Sequence, residues 1–202
     1  MVRAVVRDKP VEFPILQSGL HWGFNSLCVL LLLEAMDVDL DTGMAALAAF
    51  EPLAGRGAEQ SIPVPGGAFT LVDESYNANP VSMAAALKSF GARQTAGRRI
   101  VALTDMLELG PDGPAFHAAL AAPIEAADVD LVFLAGPQMK SLWQALPTTR
   151  QGAYAETAAE LSPRVASAVE PGDVVMVKGS NGSRAGVIAA ALAALDRAGA
   201  GG

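Results

Sequence analysis

The chain is poor in cysteine, aromatic residues and positive charge, and each shortage excludes a class of protein. One cysteine among 202 residues cannot form an internal disulfide, and no Cys/His spacing resembles a zinc site. Aromatic residues make up 5% and charged residues 17%, while 51% are hydrophobic, which excludes an intrinsically disordered protein. The 14 basic residues form no cluster and are outnumbered by 21 acidic ones, which argues against nucleic-acid binding.

Long apolar runs are also lacking. The most apolar stretch, Leu27 to Leu33, has seven residues and ends at Glu34, whereas a bilayer-spanning helix needs about 20 apolar residues. The stretch therefore predicts a buried helix, with Cys28 as inert core. The first ten residues, MVRAVVRDKP, contain no apolar segment of the kind found in secretory signals. We expect a cytoplasmic protein with neither membrane nor nucleic-acid partners.

What the sequence does contain is an alternation of strands and helices. Residues 1–17 predict a loop with short strands, and helices follow at 25–36 and at 41–50, the second capped by Asp41 or Thr42. The Pro/Gly-rich segment 51–67 predicts a domain boundary and a hinge. Beyond it, apolar strands are predicted at 68–73, 99–104, 130–135, around Tyr154 and at 173–177, with helices at 80–91, 114–127, 138–145, 156–169 and 185–197.

Strands that are apolar throughout and alternate with helices indicate a parallel sheet covered on both faces. The predicted fold is α/β, with a Rossmann-like, doubly wound, mainly parallel sheet. Ligands bind such sheets beyond the carboxyl ends of the strands. The loops at those ends are the polar ones, DESYNANP, TDMLELG, AGPQM and KGSNGSR, so the functional site is predicted there.

The loop 74–80 leads from a strand into a helix N-terminus, where free N–H groups and the positive end of the helix dipole suit an anion or a ribose hydroxyl. Asn79 as N-cap and Pro80 at the first helical position explain how the helix starts. Capping does not explain the polar side chains that accompany it, and these favour a binding site: Asp73, Glu74, Tyr76 and Asn77.

The loop Lys178–Arg184 also joins a strand to a helix. Its glycines allow a close backbone approach, its serines can donate hydrogen bonds, and Lys178 and Arg184 bring positive charge to an acidic chain. The order of residues is not that of a Walker A loop, in which the Lys follows the second Gly. A solvated turn is the structural alternative, and recognition of an anion or carboxylate is favoured over it.

Four single residues carry weaker signals. His21 and Asn25 lie four residues apart at the head of the first helix, a spacing that by itself favours capping or packing. Arg56, in the run GRG, indicates little alone. His117 falls on a predicted helix and is interpreted as structural.

Taken together, these pieces resemble a known family. DESYNANP, DMLELG, a helical His117 and VKGS follow one another in the order and spacing of the C-terminal third of the Mur ligases. Upstream, Gly19-x-His21-x-x-x-Asn25 resembles a helix start at the end of that family's central ATPase domain. The resemblance covers about residues 11–196. It implies that residues 1–50 are the tail of the central, ATP-binding domain and residues 51–202 the C-terminal domain.

The strings SYNANP and DMLELG point to the branch of the family that adds D-alanyl-D-alanine to UDP-N-acetylmuramoyl-tripeptide in peptidoglycan precursor synthesis. The resemblance implies ATP and Mg²⁺ as cofactors, and activation of a carboxylate as an acyl phosphate that an amine then attacks. It implies nucleotide contacts for His21, Asn25, Arg56 and one of the neighbouring acids, with Glu74 at the ribose position and Asp73 as the alternative. It implies substrate contacts for Tyr76, Asn77, Asn79, Lys178, Gly179 and Ser180.

The family's P-loop, its magnesium-binding Glu and His, and its carbamylated Lys would lie upstream of Met1. We therefore expect this chain alone to lack ligase activity, as a truncated gene, a cut piece or a natural short protein. One alternative is a stand-alone, non-catalytic module that binds nucleotide or dipeptide. Another is a different superfamily member, such as a folylpolyglutamate-type enzyme, against which SYNANP and DMLELG speak. Uncovered apolar surface on residues 1–50 predicts self-association.

Overall fold

A computed structural model describes residues 1–16, 20–51 and 55–195 of the chain. The chain divides into two compact units, Met1–Leu53 and Ala54–Gly202. The division falls within the segment 51–67, where the sequence predicts a domain boundary. That the first unit belongs to an ATP-binding domain stays a prediction.

The first unit pairs a hairpin with two helices. Strands β1 (Val2–Val6) and β2 (Lys9–Phe13) are antiparallel and joined by a two-residue turn. Helix α1 (Leu20–Ala35) and helix α2 (Leu40–Ala49) follow. Two side chains of β1, two of β2 and one of α1 are buried together and form a small apolar core: Val2, Val6, Val11, Phe13 and Leu30. The short strands and both helices are present as predicted.

Three predictions about this unit are wrong in detail. The N-cap of α2 is Asp39, whose carboxylate accepts the N–H of Thr42 at 3.1 Å, and not Asp41 or Thr42 itself. Cys28 is exposed and does not belong to the core. The apolar run of α1 is only partly buried, since Leu30 is fully covered whereas Leu32 is 65% exposed. A run that is apolar all round does not reveal which side the rest of the fold covers.

The second unit is built on a six-stranded sheet with the strand order β3-β4-β8-β5-β6-β7. All neighbouring pairs from β4 to β7 are parallel, and only β3 runs antiparallel to its neighbour β4. The predicted α/β fold with a mainly parallel sheet is therefore confirmed. The strands are β3 (Ala58–Val64), β4 (Gly67–Glu74), β5 (Arg99–Thr104), β6 (Leu131–Ala135), β7 (Gln151–Ala155) and β8 (Val174–Lys178).

Helices cover both faces of this sheet, as expected for strands that are apolar on both sides. Met83, Leu87 and Phe90 of one helix belong to the core on one face. Leu161 and Ile188, on two others, belong to the core on the opposite face. The helices are α3 (Pro80–Gly91), α4 (Gly113–Ala118), α5 (Ala121–Ala126), α6 (Met139–Ala145), α7 (Ala158–Ala166) and α8 (Ala185–Ala193).

The sequence misjudged two regions of this unit. The segment 51–67 is not a hinge throughout, because β3 occupies its second half as an edge strand, where Pro63 needs no N–H for a further neighbour. The single helix predicted at 114–127 is broken into α4 and α5, since Pro123 has no N–H to bond the carbonyl of Ala119. Helices α7 and α8 are also shorter than predicted, and residues 196–202, which include the predicted end of the last helix, lie outside the described residues.

The topology places β8, the last strand along the chain, between β4 and β5. The carboxyl ends of these three parallel strands therefore meet at one edge, together with the loops that follow them. None of the helices in the described ranges is long and apolar enough to cross a membrane.

Candidate functional site

Lys178, at the end of β8, fastens the loop that follows β4. It lies opposite Glu74 in the parallel ladder and is only 3% exposed. Its Nζ donates to the backbone oxygen of Asn77 at 3.0 Å and to Oε2 of Glu74 at 3.4 Å. Burial lowers the pKa of Lys178, and the Glu74 carboxylate raises it by a smaller amount. The sequence assigns the positive charge of Lys178 to the recognition of an external anion. In the structure, its ammonium group bonds to groups of the protein itself.

Ser180 ties together the loops that follow β4, β5 and β8. Its hydroxyl accepts the N–H of Leu107 at 3.0 Å and donates to the carbonyl of Ala78 at 3.3 Å. Its own N–H donates to the carbonyl of Asp105 at 3.1 Å. Beside it, a Cβ at Gly179 would overlap the hydroxyl of Thr104, so only glycine fits this approach. Gly179 and Ser180 therefore hold the three loops in close packing.

Asp73 connects the segment 55–57 to the same cluster. Its carboxylate accepts the N–H of Gly55 at 3.1 Å and that of Ser75 at 3.0 Å, and its carbonyl accepts the N–H of Gly57 at 2.8 Å. Gly55 and Gly57 have φ values of +74° and +84°, a left-handed conformation that favours glycine. These bonds hold the short segment around Arg56 against the start of the 74–79 loop.

Arg56 stacks on Tyr76. The guanidinium carbon lies 4.1 Å from the centroid of the tyrosine ring, within cation–π range. Tyr76 is 47% exposed and Arg56 is half-buried. Within residues 1–16, 20–51 and 55–195, the guanidinium has no hydrogen-bond or ion-pair partner. Two residues that the sequence assigned to different ligands thus form one pair.

Asn79 caps α3, as predicted. Its side-chain oxygen accepts the N–H of Ser82 at 2.8 Å, and the hydroxyl of Ser82 accepts the N–H of Asn79 at 3.0 Å, which completes a capping box with Pro80 at the first helical position. The side-chain oxygen of Asn77 accepts the N–H of Ala78 at 2.9 Å. Both asparagines are exposed and shape the loop, and their amide groups remain accessible.

His21 and Asn25 lie in α1, within the first unit. Asn25 is exposed, while the side chain of His21 lies outside the described part of the chain. The nucleotide set predicted from the sequence is therefore divided between the two units, with Arg56, Asp73 and Glu74 in the second.

His117 is structural, as predicted. It is fully buried in α4, and its Nε2 accepts the N–H of Met106 at 2.9 Å. Its Nδ1 must then carry the proton, which it donates to the carbonyl of Gly113 at 2.6 Å. His117 thereby fixes the backbone of the DMLELG loop at Met106.

A cavity of about 480 Å³ lies beyond the ends of β5, β6, β7 and β8. Its lining includes Asp105, Glu156 and Arg184, so residues of both charges surround it. Asp105 is 4% exposed, and its burial raises its pKa despite N–H donors from Met139 and Gln138. Sequence reasoning named the loops around this cavity but not Asp105 or Glu156. The polar start of TDMLELG is the signal that could have indicated Asp105.

No group of three or more His, Cys, Asp or Glu residues that could hold a metal ion occurs among the residues that the structure describes.

The sequence profile of the family described as "Mur ligase, glutamate ligase domain" matches residues 62–181, more than half of the chain. The chain belongs to the Mur ligase family. The matched residues run from β3 to Asn181, so they include the loops that Lys178 and Ser180 hold together. This Mur ligase domain accounts for most of the second unit.

Two relatives of this Mur ligase chain bear the name UDP-N-acetylmuramoyl-tripeptide–D-alanyl-D-alanine ligase. The protein of Treponema pallidum is 30% identical over 181 residues, which cover 88% of this chain and 38% of the relative. The protein of Mycobacterium tuberculosis is 27% identical over an alignment of 213 positions, which covers 95% of this chain and 41% of the relative. The chain thus spans about 40% of the length of the curated relatives that it matches.

Solved structures of Mur ligases share the fold. The MurF ligase of Thermotoga maritima in complex with ADP superposes with a TM-score of 0.79 at 18% identity, covering 97% of this chain and 43% of that one. MurF of Acinetobacter baumannii gives a TM-score of 0.78 at 20% identity, covering 95% and 41%. At this level of identity the likeness shows the α/β architecture.

Proposed function

We propose that this chain forms part of an ATP-dependent ligase that adds D-alanyl-D-alanine to UDP-N-acetylmuramoyl-tripeptide. The terminal phosphoryl group of ATP would pass to the tripeptide carboxylate, giving ADP and an acyl phosphate. The dipeptide amine would then attack the acyl carbon, lose a proton and displace phosphate as the amide forms. The observation that carries the proposal is the cluster of three loops held by Lys178 and Ser180, in a chain whose relatives bear this ligase's name.

We propose nucleotide contacts for Arg56 and Glu74 of the second unit and, taken by themselves, for His21 and Asn25 of the first. Glu74 is the better candidate for the ribose, because the Asp73 carboxylate already accepts two backbone N–H groups while Glu74 makes one contact, with Lys178. Arg56 offers unused donors for the nucleotide. Mg²⁺ and the phosphate-binding loop would come from the part of the relatives' length that this chain does not span.

The substrate side is proposed to lie along Tyr76, Asn77, Asn79, Lys178, Gly179 and Ser180. Lys178 would act there through the loop that it fastens, because its ammonium is bonded within the protein. The adjoining cavity suits the acceptor dipeptide, which is a zwitterion. Asp105 and Glu156 would face its ammonium group and Arg184 its carboxylate.

The change of domain is proposed to fall at 51–57, before β3 begins at Ala58. Residues 1–50 would then be the tail of the central, ATP-binding domain, and the remainder the C-terminal domain. Since most ATP and Mg²⁺ contacts would lie in the part of the relatives that this chain does not span, the chain alone is expected to release no phosphate from ATP in the presence of both substrates.

The test is to read the coding sequence on both sides of these 202 codons, express the complete reading frame, and measure ADP and amide formation with the tripeptide, the dipeptide and ATP. Glu74→Gln should raise the KM for ATP about tenfold, because a charged hydrogen bond to the ribose is weakened. Glu160→Gln, an exposed change on α7, is the matched control. A complete protein that forms no amide from these substrates would contradict the proposal.

A further inference from the structure

Arg56 and the residues around it form a small assembly that neither the capping of α3 nor the packing of the sheet requires. We infer that Tyr76 and Asp73 are positioning residues, which hold the Arg56 guanidinium with its N–H groups open to the phosphate groups of a nucleotide. This inference rests on the proposed function for the identity of the ligand as a nucleotide. The arrangement of the three residues is observed directly.

Tyr76 supports the guanidinium. The guanidinium carbon lies over the ring, 4.1 Å from its centroid, and none of the five N–H donors makes a hydrogen bond within the described ranges. The ring and not the hydroxyl makes this contact. Phenylalanine should therefore replace Tyr76 in this role, and an aliphatic residue should not.

Asp73 fixes the backbone from which Arg56 projects. Its carboxylate and carbonyl accept the N–H groups of Gly55 and Gly57, on either side of Arg56. The carbonyl of Gly55 in turn accepts the N–H of Tyr76 at 3.0 Å. Backbone hydrogen bonds on either side of Arg56 and at Tyr76 thus hold the two residues next to each other. A flexible arginine would lose more side-chain freedom on binding, so this arrangement lowers the cost of capturing an anion.

The chemistry of the assembly indicates phosphate. The nearby carboxylate of Asp73 is occupied by backbone donors, and no other acceptor in the described ranges bonds the guanidinium. A planar fork of free donors matches two oxygens of a phosphate group. A cavity of about 360 Å³, lined in part by Gly55, Asp73 and Tyr76, adjoins the segment that carries Arg56.

The experiment uses the 202-residue chain with its arginines labelled with ¹³C and ¹⁵N. ADP, inorganic pyrophosphate and adenosine are titrated separately while the guanidinium resonances of Arg56 are followed by NMR. ADP and pyrophosphate should shift them and adenosine should not. Arg56→Ala should abolish the Arg56 signal and weaken ADP binding. Tyr76→Leu should weaken ADP binding about two- to fivefold, and Tyr76→Phe should restore the affinity of the parent chain.

Combining Arg56→Ala with Tyr76→Leu should weaken binding no further than Arg56→Ala alone, because Tyr76 acts through Arg56. Arg164→Ala, an exposed change on α7, is the control and should leave the affinity unchanged. Thermal unfolding of each variant separates loss of binding from loss of fold.

Three results would overturn the inference. These are an Arg56 signal that responds to no phosphate compound, a Tyr76→Leu chain that binds ADP as the parent does, and a Tyr76→Phe chain as weak as Tyr76→Leu. The last would mean that the hydroxyl, and not the ring, serves the ligand. Amide formation by the complete reading frame is measured independently, so the ligase proposal can stand while this inference falls, and the reverse.

Discussion

Lys178 shows how one buried charge can organise a loop. Its ammonium lies at the end of a central strand and bonds a carboxylate and a carbonyl of the neighbouring loop, 104 and 101 residues away along the chain. Burial disfavours the charged form, and Glu74 favours it. The protonation of Lys178 is therefore set by a balance between desolvation and one neighbour.

Removing the Glu74 carboxylate should lower the pKa of Lys178. In Glu74→Gln the carboxylate that raises the pKa of Lys178 is gone while burial remains, so the pKa of Lys178 should fall further below its ordinary value. The pH dependence of the Lys178 Cε resonance measures this in the 202-residue chain. Glu160→Gln should leave the pKa of Lys178 unchanged. An unchanged or raised pKa in Glu74→Gln would show that the ion pair has little effect on Lys178.

The sequence singles out the charged residues at the strand ends, but it does not indicate which residues they bond. Asp73, Glu74 and Lys178 stand out as charged residues at the ends of apolar strands, and that pattern follows from the parallel sheet. Their partners are set by tertiary contacts. Nothing in the sequence near Lys178 indicates that Asn77 would bond its ammonium, or that Asp73 would bond Gly55, 18 residues earlier.

At the scale of elements, the close approach of β8 and β5 depends on a glycine. Gly179 follows β8 and packs against Thr104 at the end of β5, where any Cβ would overlap the threonine hydroxyl. At Gly186, in the first turn of α8, an added Cβ would make only an ordinary van der Waals contact, with the hydroxyl oxygen of Ser75 at 3.6 Å. The two glycines lie close together in sequence but serve different needs.

Gly179→Ala should lower the free energy of unfolding by about 1–3 kcal/mol, because the strands must move apart to accept a methyl group. Gly186→Ala should be neutral or stabilise the chain by up to about 1 kcal/mol, since alanine is the better helix former. Urea denaturation of both variants at neutral pH checks the pair. Equal changes in the free energy of unfolding of the two variants would mean that Thr104 packs loosely against Gly179.

Elements with strong internal patterns were predicted well, and those defined by their neighbours were not. The apolar strand at 99–104 agrees in full with β5, and Asn79 with Pro80 located the start of α3. Strand β3 was missed because its residues look like a loop, with Ile62 as its only buried side chain and a proline beside it. It forms because β4 offers it a free edge, which is a property of the sheet and not of the segment.

At the scale of the whole molecule, the first unit leaves part of α1 uncovered. Phe24, Cys28 and Leu32 are spaced four residues apart, so they lie along one side of the helix, and all three are exposed. Phe24 is 60% and Leu32 65% exposed, and Met36 just beyond the helix is 74% exposed. Apolar surface of this kind promotes association in water.

We therefore expect the 202-residue chain to self-associate as its concentration rises. The double change Phe24→Glu and Leu32→Glu should return it to a monomer, because two charges would have to be desolvated in the contact. Light scattering after size-exclusion chromatography over a range of concentrations measures this. Val81→Glu, which changes an 80% exposed valine of the second unit, should not alter the association. A parent chain that is monomeric at every concentration would contradict the expectation.

The central place of β8 in the sheet has a consequence for the synthesis of the chain. Before Val174 leaves the ribosome, β4 and β5 have no common neighbour, and the second unit can form only a two-stranded and a three-stranded piece, each with an open edge. Open strand edges are sites of aggregation, and contacts between distant segments form slowly. A nascent chain halted after β7 and before β8 therefore carries two more open strand edges than the finished sheet, and β8 covers both of them when it forms.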